Sequence, residues 1–340
     1  MGILSANARG AANDEFDHPR YAFTCQTINP IGCNAIVIPP RLKLFFALSR
    51  TPHGVIDMAA PALAALLCLG HFPPAATIVL GLVTAFAGYT AVYALNDLVD
   101  YRMDRQKVRL GAYADGEDFL DGVLVRHPLA KGALTLLEAT LWTGGWALVA
   151  MVGAWLLNPI CLFIFLAGGL LEAVYCLLWR VTPLRALING IVKSLGAVAA
   201  VYAVNPQPSM MFLIVLFSWI VCWEIGGQNI PNDWTDIQDD RRFKAKTIPV
   251  QLGMARSGLL ALACLVAAFF MTFLLVWVSA LSFGIVHLLA LVGLGLGLLL
   301  WPALRLVEAN GRPQAMDLFN KASLFPLSLL GVVLVRLLLF

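Results

Sequence analysis

Long runs of apolar residues, each closed by a short polar or charged segment, frame this 340-residue chain. Nine fall at roughly 53–70, 75–96, 133–157, 159–178, 184–204, 210–231, 258–278, 283–306 and 322–340. About 20 apolar residues carry a helix across the hydrocarbon core of a bilayer, so each run predicts a membrane-spanning helix. The runs are continuous rather than alternating, which excludes the strand pattern of a membrane barrel. The pattern predicts an all-α, polytopic bundle of nine transmembrane helices. Residues 1–40 mix polar and apolar positions around Pro19, Pro30, Pro39 and Pro40, with no basic segment leading into an apolar one. They read as a cytoplasmic tail, not a signal peptide, ahead of a membrane domain at 41–340.

Charge gives the bundle a direction. Of 23 Lys and Arg, five precede the first run (Arg9, Arg20, Arg41, Lys43, Arg50). Six separate the second from the third, and the later clusters again follow even-numbered runs; Arg336 stands alone near the end. The alternate connections, around His71, Asn158, Asn205 and Ser279, carry none. Lys and Arg are retained in cytoplasmic loops, so the N-terminus is expected inside, the C-terminus outside, and the membrane is expected to be the cell inner membrane. Hydrophobic residues at 60%, charged residues at 13% and a mean hydropathy of +0.82 exclude an ordinary soluble domain. The net charge of +3 restates the loop bias and carries no signal for nucleic acid. Five of seven cysteines lie inside apolar runs as small hydrophobes, and Cys25 and Cys33 show no zinc spacing.

Two connections carry the chemistry. The second run passes into Asn96-Asp97-Leu98-Val99-Asp100-Tyr101-Arg102-Met103-Asp104, and the sixth into Asn232-Asp233-Trp234-Thr235-Asp236-Ile237-Gln238-Asp239-Asp240. Both read N-D-x-x-D-x-x-x-D. On a helix continuing past the bilayer, positions i, i+3 and i+7 share one face. Asp97, Asp100 and Asp104 then make one acidic stripe, and Asp233, Asp236 and Asp240 a second. Three carboxylates on one face repel one another, which a bound cation relieves. Hard carboxylate oxygens suit magnesium, which binds through one or two carboxylates plus substrate phosphates. Solvated loop charge is the bland alternative, and two identical spacings at two cytoplasmic helix ends disfavour it. Asn96 and Asn232, which open the motifs, join the expected headgroup site with Arg50, Lys107, Arg126, Lys193 and Lys246. Lys193 is favoured, because a lysine in an apolar helix needs a partner.

These residues resemble the UbiA superfamily of intramembrane prenyltransferases. Local similarities extend from about Arg41 to Phe340: Ser49-Arg50-Thr51-Pro52, His127-Pro128-Leu129-Ala130-Lys131-Gly132, and Lys246-Thr247-Ile248-Pro249-Val250-Gln251-Leu252-Gly253 after Asp240-Arg241-Arg242. Where the family has Arg-Pro before its third helix, this chain has His127-Pro128, with Arg126 one step earlier. Its stretch 111–125, with Asp115, Glu117, Asp118 and Asp121, is longer and more acidic than the family pattern. The resemblance implies a nine-helix bundle around a central cavity, Mg2+ at the Asp motifs, and an isoprenoid diphosphate whose tail lies in the apolar cavity. Ionisation of the donor gives an allylic cation, captured by a small-molecule acceptor that in this family is most often aromatic. The resemblance also places Tyr175 near the donor.

Two other readings fit the same residues. One is a membrane terpene cyclase using the same diphosphate site; the other is a divalent-cation transporter, disfavoured because the triads lie at helix ends rather than at midplane. Asp57, Glu138, Glu172 and Glu224 fall within apolar runs. Asp57 is a candidate to meet an acceptor, and Tyr93 to stabilise a cation through its ring, with packing as the alternative role. Glu224 precedes Asp233 by nine residues, 2.5 helical turns, and is expected to face away from the metal. Gly226-Gly227 and the Gly-rich stretch 292–297 are expected to allow close helix approach.

Overall fold

The computed structural model describes residues 40–111 and 124–339. The tail before Pro40, with Cys25 and Cys33, and nearly all of the acidic stretch after the first motif lie outside the described residues. Nine helices among the described residues are long and apolar enough to cross a membrane, with no strand between them. A short helix, α1 (Pro40–Leu48), leads into the first. The spans are α2 (Thr51–Leu69), α3 (Ala75–Arg109), α4 (Leu136–Leu157), α5 (Pro159–Arg180), α6 (Arg185–Val204) and α7 (Met210–Thr235). Short helices α8 (Ile237–Arg242) and α9 (Ile248–Leu252) precede α10 (Met254–Val278), α11 (Ile285–Ala309) and α12 (Arg312–Leu339).

The expected runs and the helices coincide at most ends, and caps explain why. Asn158 accepts from Ile160 N to start α5, with Pro159 at the first helical position. Thr135 and Glu138 form a capping box that opens α4, and Glu138 also pairs with Arg41. Glu138 is therefore a helix-start residue rather than a buried charge. Two helices outrun their apolar segments. α3 has 35 residues, about 52 Å at ~1.5 Å per residue, against a hydrocarbon core of ~30 Å. Its surplus carries the first Asp motif. α12 begins ten residues before the apolar run, at Arg312, and is interrupted at Leu324, two residues before Pro326.

Lipid-facing side chains are large and apolar: Leu137, Leu141 and Leu148 on α4, Phe163 and Leu170 on α5, and Trp277 on α10 are all exposed. The principal core lies among α2, α6, α7, α10, α11 and α12. Hydrocarbon offers no hydrophobic drive between helices, so close packing and satisfied polar groups must hold this core. Trp219 Nε1 donates to Thr272 Oγ1 at 3.0 Å, and Trp223 Nε1 to Ala322 O at 2.9 Å. Gly226 and Gly227 permit the approach: a Cβ on Gly226 would lie 2.8 Å from Ala261 O, and one on Gly227 2.7 Å from Ala322 Cβ. These glycines sit in a π-helical turn, Glu224–Asn229, in the middle of α7. At the bundle end away from the Asp motifs, Arg336 caps the α10–α11 loop, its Nε donating to Ser282 O at 2.8 Å.

Candidate functional site

The two Asp motifs, far apart in sequence, meet at one end of the bundle. α3 stays helical through Asp104, and Asp97 and Asp104 are both buried and turned toward His127. His127 Nδ1 lies 3.4 Å from Asp97 Oδ1 and 3.3 Å from Asp104 Oδ2. Ligand atoms of the three fall within 4.8 Å of one another. His127 has φ 52°, a left-handed turn that aims its ring back at α3. Burial opposes charging of this imidazole, but Asp104 and then Asp97 outweigh it and hold its pKa above the usual value.

The second motif departs from the expected single stripe. The helix breaks at Asp236 (φ −102°, ψ 9°) between α7 and α8, so Asp233 and Asp240 belong to different helices. Both are buried. Asp233 Oδ1 accepts from Arg185 Nη2 at 2.7 Å, and Asp240 Oδ2 from Thr247 Oγ1 at 3.0 Å. Burial beside Asp233 lifts the Asp240 carboxyl well above the usual range. Asp236 pairs with Arg126, Nη2 to Oδ2 at 2.8 Å. The motifs are joined by cations. Arg185 interacts with Asp233, Asp240 and Asp100, while Lys107 interacts with Asp100, Asp233 and Asp240. Lys107 Nζ also lies 3.8 Å from Asp104 Oδ1 and 4.0 Å from the centre of the Trp179 ring.

Beneath this end opens a polar cavity of about 150 Å³, lined by Arg50, Asn96, Asp97, Arg126, Tyr175 and Asn232 among others. Arg50, in a left-handed turn (φ 44°) between α1 and α2, brings Nη2 within 3.8 Å of Asp97 Oδ1. Asn96 Nδ2 donates to Glu172 Oε1 at 2.7 Å. The Tyr175 ring carries the Arg185 guanidinium, 4.7 Å from its centre. A second cavity of about 520 Å³, almost wholly apolar, runs from Tyr93 down to Phe72 and Pro73. Tyr93, Glu172, Asn189 and Lys193 line both cavities.

Several residues stand differently from the expectation. Lys193 lies eight residues into α6 and donates to Asp57 and to Tyr93 Oη; its partner is a protein carboxylate. The residue of that helix that meets the Asp motifs is Arg185, two turns nearer the helix start. Lys246 gives its backbone N–H to Trp179 O at 2.9 Å, and its side chain is exposed and does not line the cavity. Glu224 does not face away: it lines the polar cavity with Asn232 and Asp97. The π-turn explains this, because i→i+5 turns hold more residues and retard the rotation that ideal helix counting assumes. His127 and Arg185, which meet the Asp motifs, and Glu224, which lines the polar cavity, are the site-lining side chains that spacing alone does not pick out. For His127, its place where the family has arginine was the available signal.

Donor chemistry fits a hard divalent cation. Asp97 and Asp104 offer closely spaced carboxylate oxygens, and the nearby Asn, Arg and Lys suit phosphate oxygens.

Comparison with known proteins agrees with this architecture. A profile described as "UbiA prenyltransferase family" matches residues 58–328. The 4-hydroxybenzoate octaprenyltransferase of Tolumonas auensis is 26% identical over 220 residues, 64% of this chain and 71% of that protein. The protoheme IX farnesyltransferase of Photobacterium profundum is 26% identical over 299 residues, covering 84% and 86%. Among solved structures, a UbiA homolog from Aeropyrum pernix K1 superposes with a TM-score of 0.70 at 20% identity, over 85% of this chain and 99% of that one. A UbiA homolog from Archaeoglobus fulgidus bound to DMAPP and Mg2+ gives 0.60 at 16% identity, over 86% and 99%. The chain belongs to the UbiA prenyltransferase family and is a prenyltransferase.

Proposed function

We propose that the protein transfers an isoprenoid chain from a prenyl diphosphate to a small acceptor, with release of diphosphate, in a magnesium-dependent reaction. The observation that carries this is the adjacency of two unlike cavities: a polar one beneath the Asp motifs and an apolar one share Tyr93, Glu172, Asn189 and Lys193 in their walls. On α3 the apolar cavity is lined from Tyr93 to Thr77, 16 residues or about 24 Å at ~1.5 Å per residue. That shape suits a charged headgroup with a long hydrocarbon tail. The A. fulgidus homolog bound to DMAPP and Mg2+ supports the same assignment.

In this proposal Asp97, Asp100 and Asp104 face Asp233, Asp236 and Asp240 across the headgroup, and these six residues hold the metal. Bound there, magnesium would neutralise the leaving diphosphate and orient it. Arg50, Lys107, Arg126 and Arg185 with Asn96 and Asn232 bind phosphate oxygens. Tyr175 orients Arg185 through its ring. The apolar walls keep water from an allylic cation, and the Tyr93 ring lies where the cavities meet to stabilise positive charge. The active site faces the cytoplasm, since the Lys- and Arg-rich connections share its end of the bundle.

Purified protein supplied with magnesium and farnesyl or geranylgeranyl diphosphate is expected to release diphosphate and to form a prenylated acceptor. EDTA abolishes the reaction and magnesium restores it; a chelator-insensitive enzyme contradicts the proposal. Hydrocarbon released without any acceptor would assign the site to a terpene cyclase.

A further inference from the structure

Two layers of polar side chains cross the bundle, one at the Asp motifs and one beneath them. The upper one holds Arg50, Asp97, Arg185 and Asp233. The lower holds Asp57, Tyr93, Lys193 and Glu224, seven to nine residues further from the Asp end on α2, α6 and α7. On α2, α6 and α7 that separation is about 10–13 Å at ~1.5 Å per residue, while on α3 Tyr93 lies four residues, about 6 Å, from Asp97. Arg50 and Asp97 above and Tyr93, Lys193 and Glu224 below line the same polar cavity. Glu172 and Asn189 complete this floor.

Among the described residues, two of its oxygens lack a partner, although every floor nitrogen donates elsewhere. Lys193 gives to Asp57 and Tyr93, Asn189 Nδ2 to Glu224 Oε1 at 2.8 Å, and Gln228 Nε2 to Gly227 O and Phe319 O. Asn229 Nδ2 faces Tyr175 Oη at 3.4 Å, and the Tyr93 hydroxyl donates to Asp57. Acceptor oxygens are left over: Glu224 Oε2 and Asn229 Oδ1 are buried with no partner, in residues 2% and 4% exposed. Of the carboxylates here, Asp57 takes Lys193 and Glu172 takes Asn96 Nδ2 at 2.7 Å, which leaves Glu224 with Asn189 alone among the described residues. His53, 3.7 Å from Asp57 Oδ1, is directed to the same carboxylate. Buried acceptors of this kind call for donors from a bound molecule.

We propose that this floor, centred on Glu224, binds the acceptor substrate through hydroxyl donors, and that the acceptor headgroup is a neutral polyhydroxy compound rather than a carboxylate or a phosphate. The carboxylate or phosphate of an anionic headgroup would set further acceptor oxygens against Glu224 Oε2 and Asn229 Oδ1, where a donor is wanted. A hydroxyl supplies the missing donor and keeps its own oxygen for the prenyl carbon or for a neighbouring N–H. This assignment rests on the reading that the Asp-motif end takes the donor diphosphate.

The test uses the full-length protein in detergent with magnesium and a matched pair of probes, hydroquinone and 2,5-dihydroxybenzoate, which differ by one carboxylate. Farnesyl diphosphate binding is measured in the same samples. Hydroquinone is expected to bind at least tenfold more tightly than 2,5-dihydroxybenzoate. Glu224→Leu removes that preference, and Glu224→Gln, which keeps the shape, narrows it at least threefold. Farnesyl diphosphate binding by the variants shows that the fold is intact. Equal or tighter binding of the carboxylate, no binding of hydroquinone, or an unchanged preference in both variants overturns the proposal. Failure of the wild type to bind farnesyl diphosphate would instead strike the donor assignment.

Discussion

Arg185 holds Asp233 by a 2.7 Å hydrogen bond, with both residues buried at the edge of the membrane domain. Its guanidinium rests on Tyr175 and also interacts with Asp100 and Asp240, so one cation serves both Asp motifs. Removing one partner of a buried ion pair strands the other charge, at a cost of about 3–5 kcal/mol. Arg185→Leu is therefore expected to lower the thermal midpoint clearly, and added magnesium to recover part of the loss, because a cation can replace the missing charge. Arg185→Lys keeps the charge but loses the planar fork, and falls between. A Leu variant as stable as wild type would contradict this account of the site.

Asp97 and Asp236 test the metal from opposite sides. Asp97 lines the cavity and lies beside Arg50 and His127; Asp236 marks the helix break and pairs with Arg126. Stabilising a leaving diphosphate by a metal amounts to several kcal/mol, and each ~1.4 kcal/mol is tenfold in rate. Asp97→Asn and Asp236→Asn are each expected to lower diphosphate release at least about a hundredfold, with normal yield and membrane insertion. Activity retained in both would remove the metal from the mechanism.

The π-turn in α7 makes a structural prediction. A Cβ on Gly226 would sit 2.8 Å from the backbone oxygen of Ala261, which cannot rotate away. Overpacking of this kind costs about 1–3 kcal/mol, so Gly226→Ala should lower the thermal midpoint. Gly144, inside α4 with nothing near its Cβ position, is the control. There, alanine gains up to about 1 kcal/mol of helix propensity and should leave stability equal or higher. Equal loss at both positions would show that close packing is not the reason for Gly226.

Much of this was legible from residue order. Continuous apolar runs admit only spanning helices, and two N-D-x-x-D-x-x-x-D segments after spans of equal parity must emerge at the same end. Two of the misses, Lys193 and Glu224, share one cause, rotation about helix axes. Lys193 and Arg185 lie on one helix two turns apart, and only packing decides that Asp57 takes the lysine while Asp233 takes the arginine. Counting at 3.6 residues per turn put Glu224 on the wrong face, because a π-turn leaves no mark in the spacing of apolar residues. The break at Asp236 was hidden similarly, since Asp233-Trp234-Thr235-Asp236 carries neither glycine nor proline. The start of α12 was missed because residues 312–321 form a polar helix that no apolar run announces.

The apolar cavity predicts a ruler for the donor tail. On α3 its depth runs back from Tyr93, and on α6 forward from Lys193, so a side chain's distance from those residues measures distance from the headgroup. Gly88 lies five residues from Tyr93, about 7.5 Å, and Ala203 ten residues from Lys193, about 15 Å. At Gly88 the nearest atom to an added Cβ is Phe165 Cε2 at 3.6 Å, an ordinary contact, so a larger group there grows into the cavity rather than into backbone. Gly88→Phe should depress kcat/KM for geranyl and longer diphosphates while sparing dimethylallyl diphosphate. Ala203→Phe should depress it only for the longest donors, because shorter tails end before reaching it. A single blocked methylene of tail forfeits about 0.8 kcal/mol of burial, so several together give discrimination of tenfold or more. Equal loss for every donor length in both variants would mean that the tail lies elsewhere.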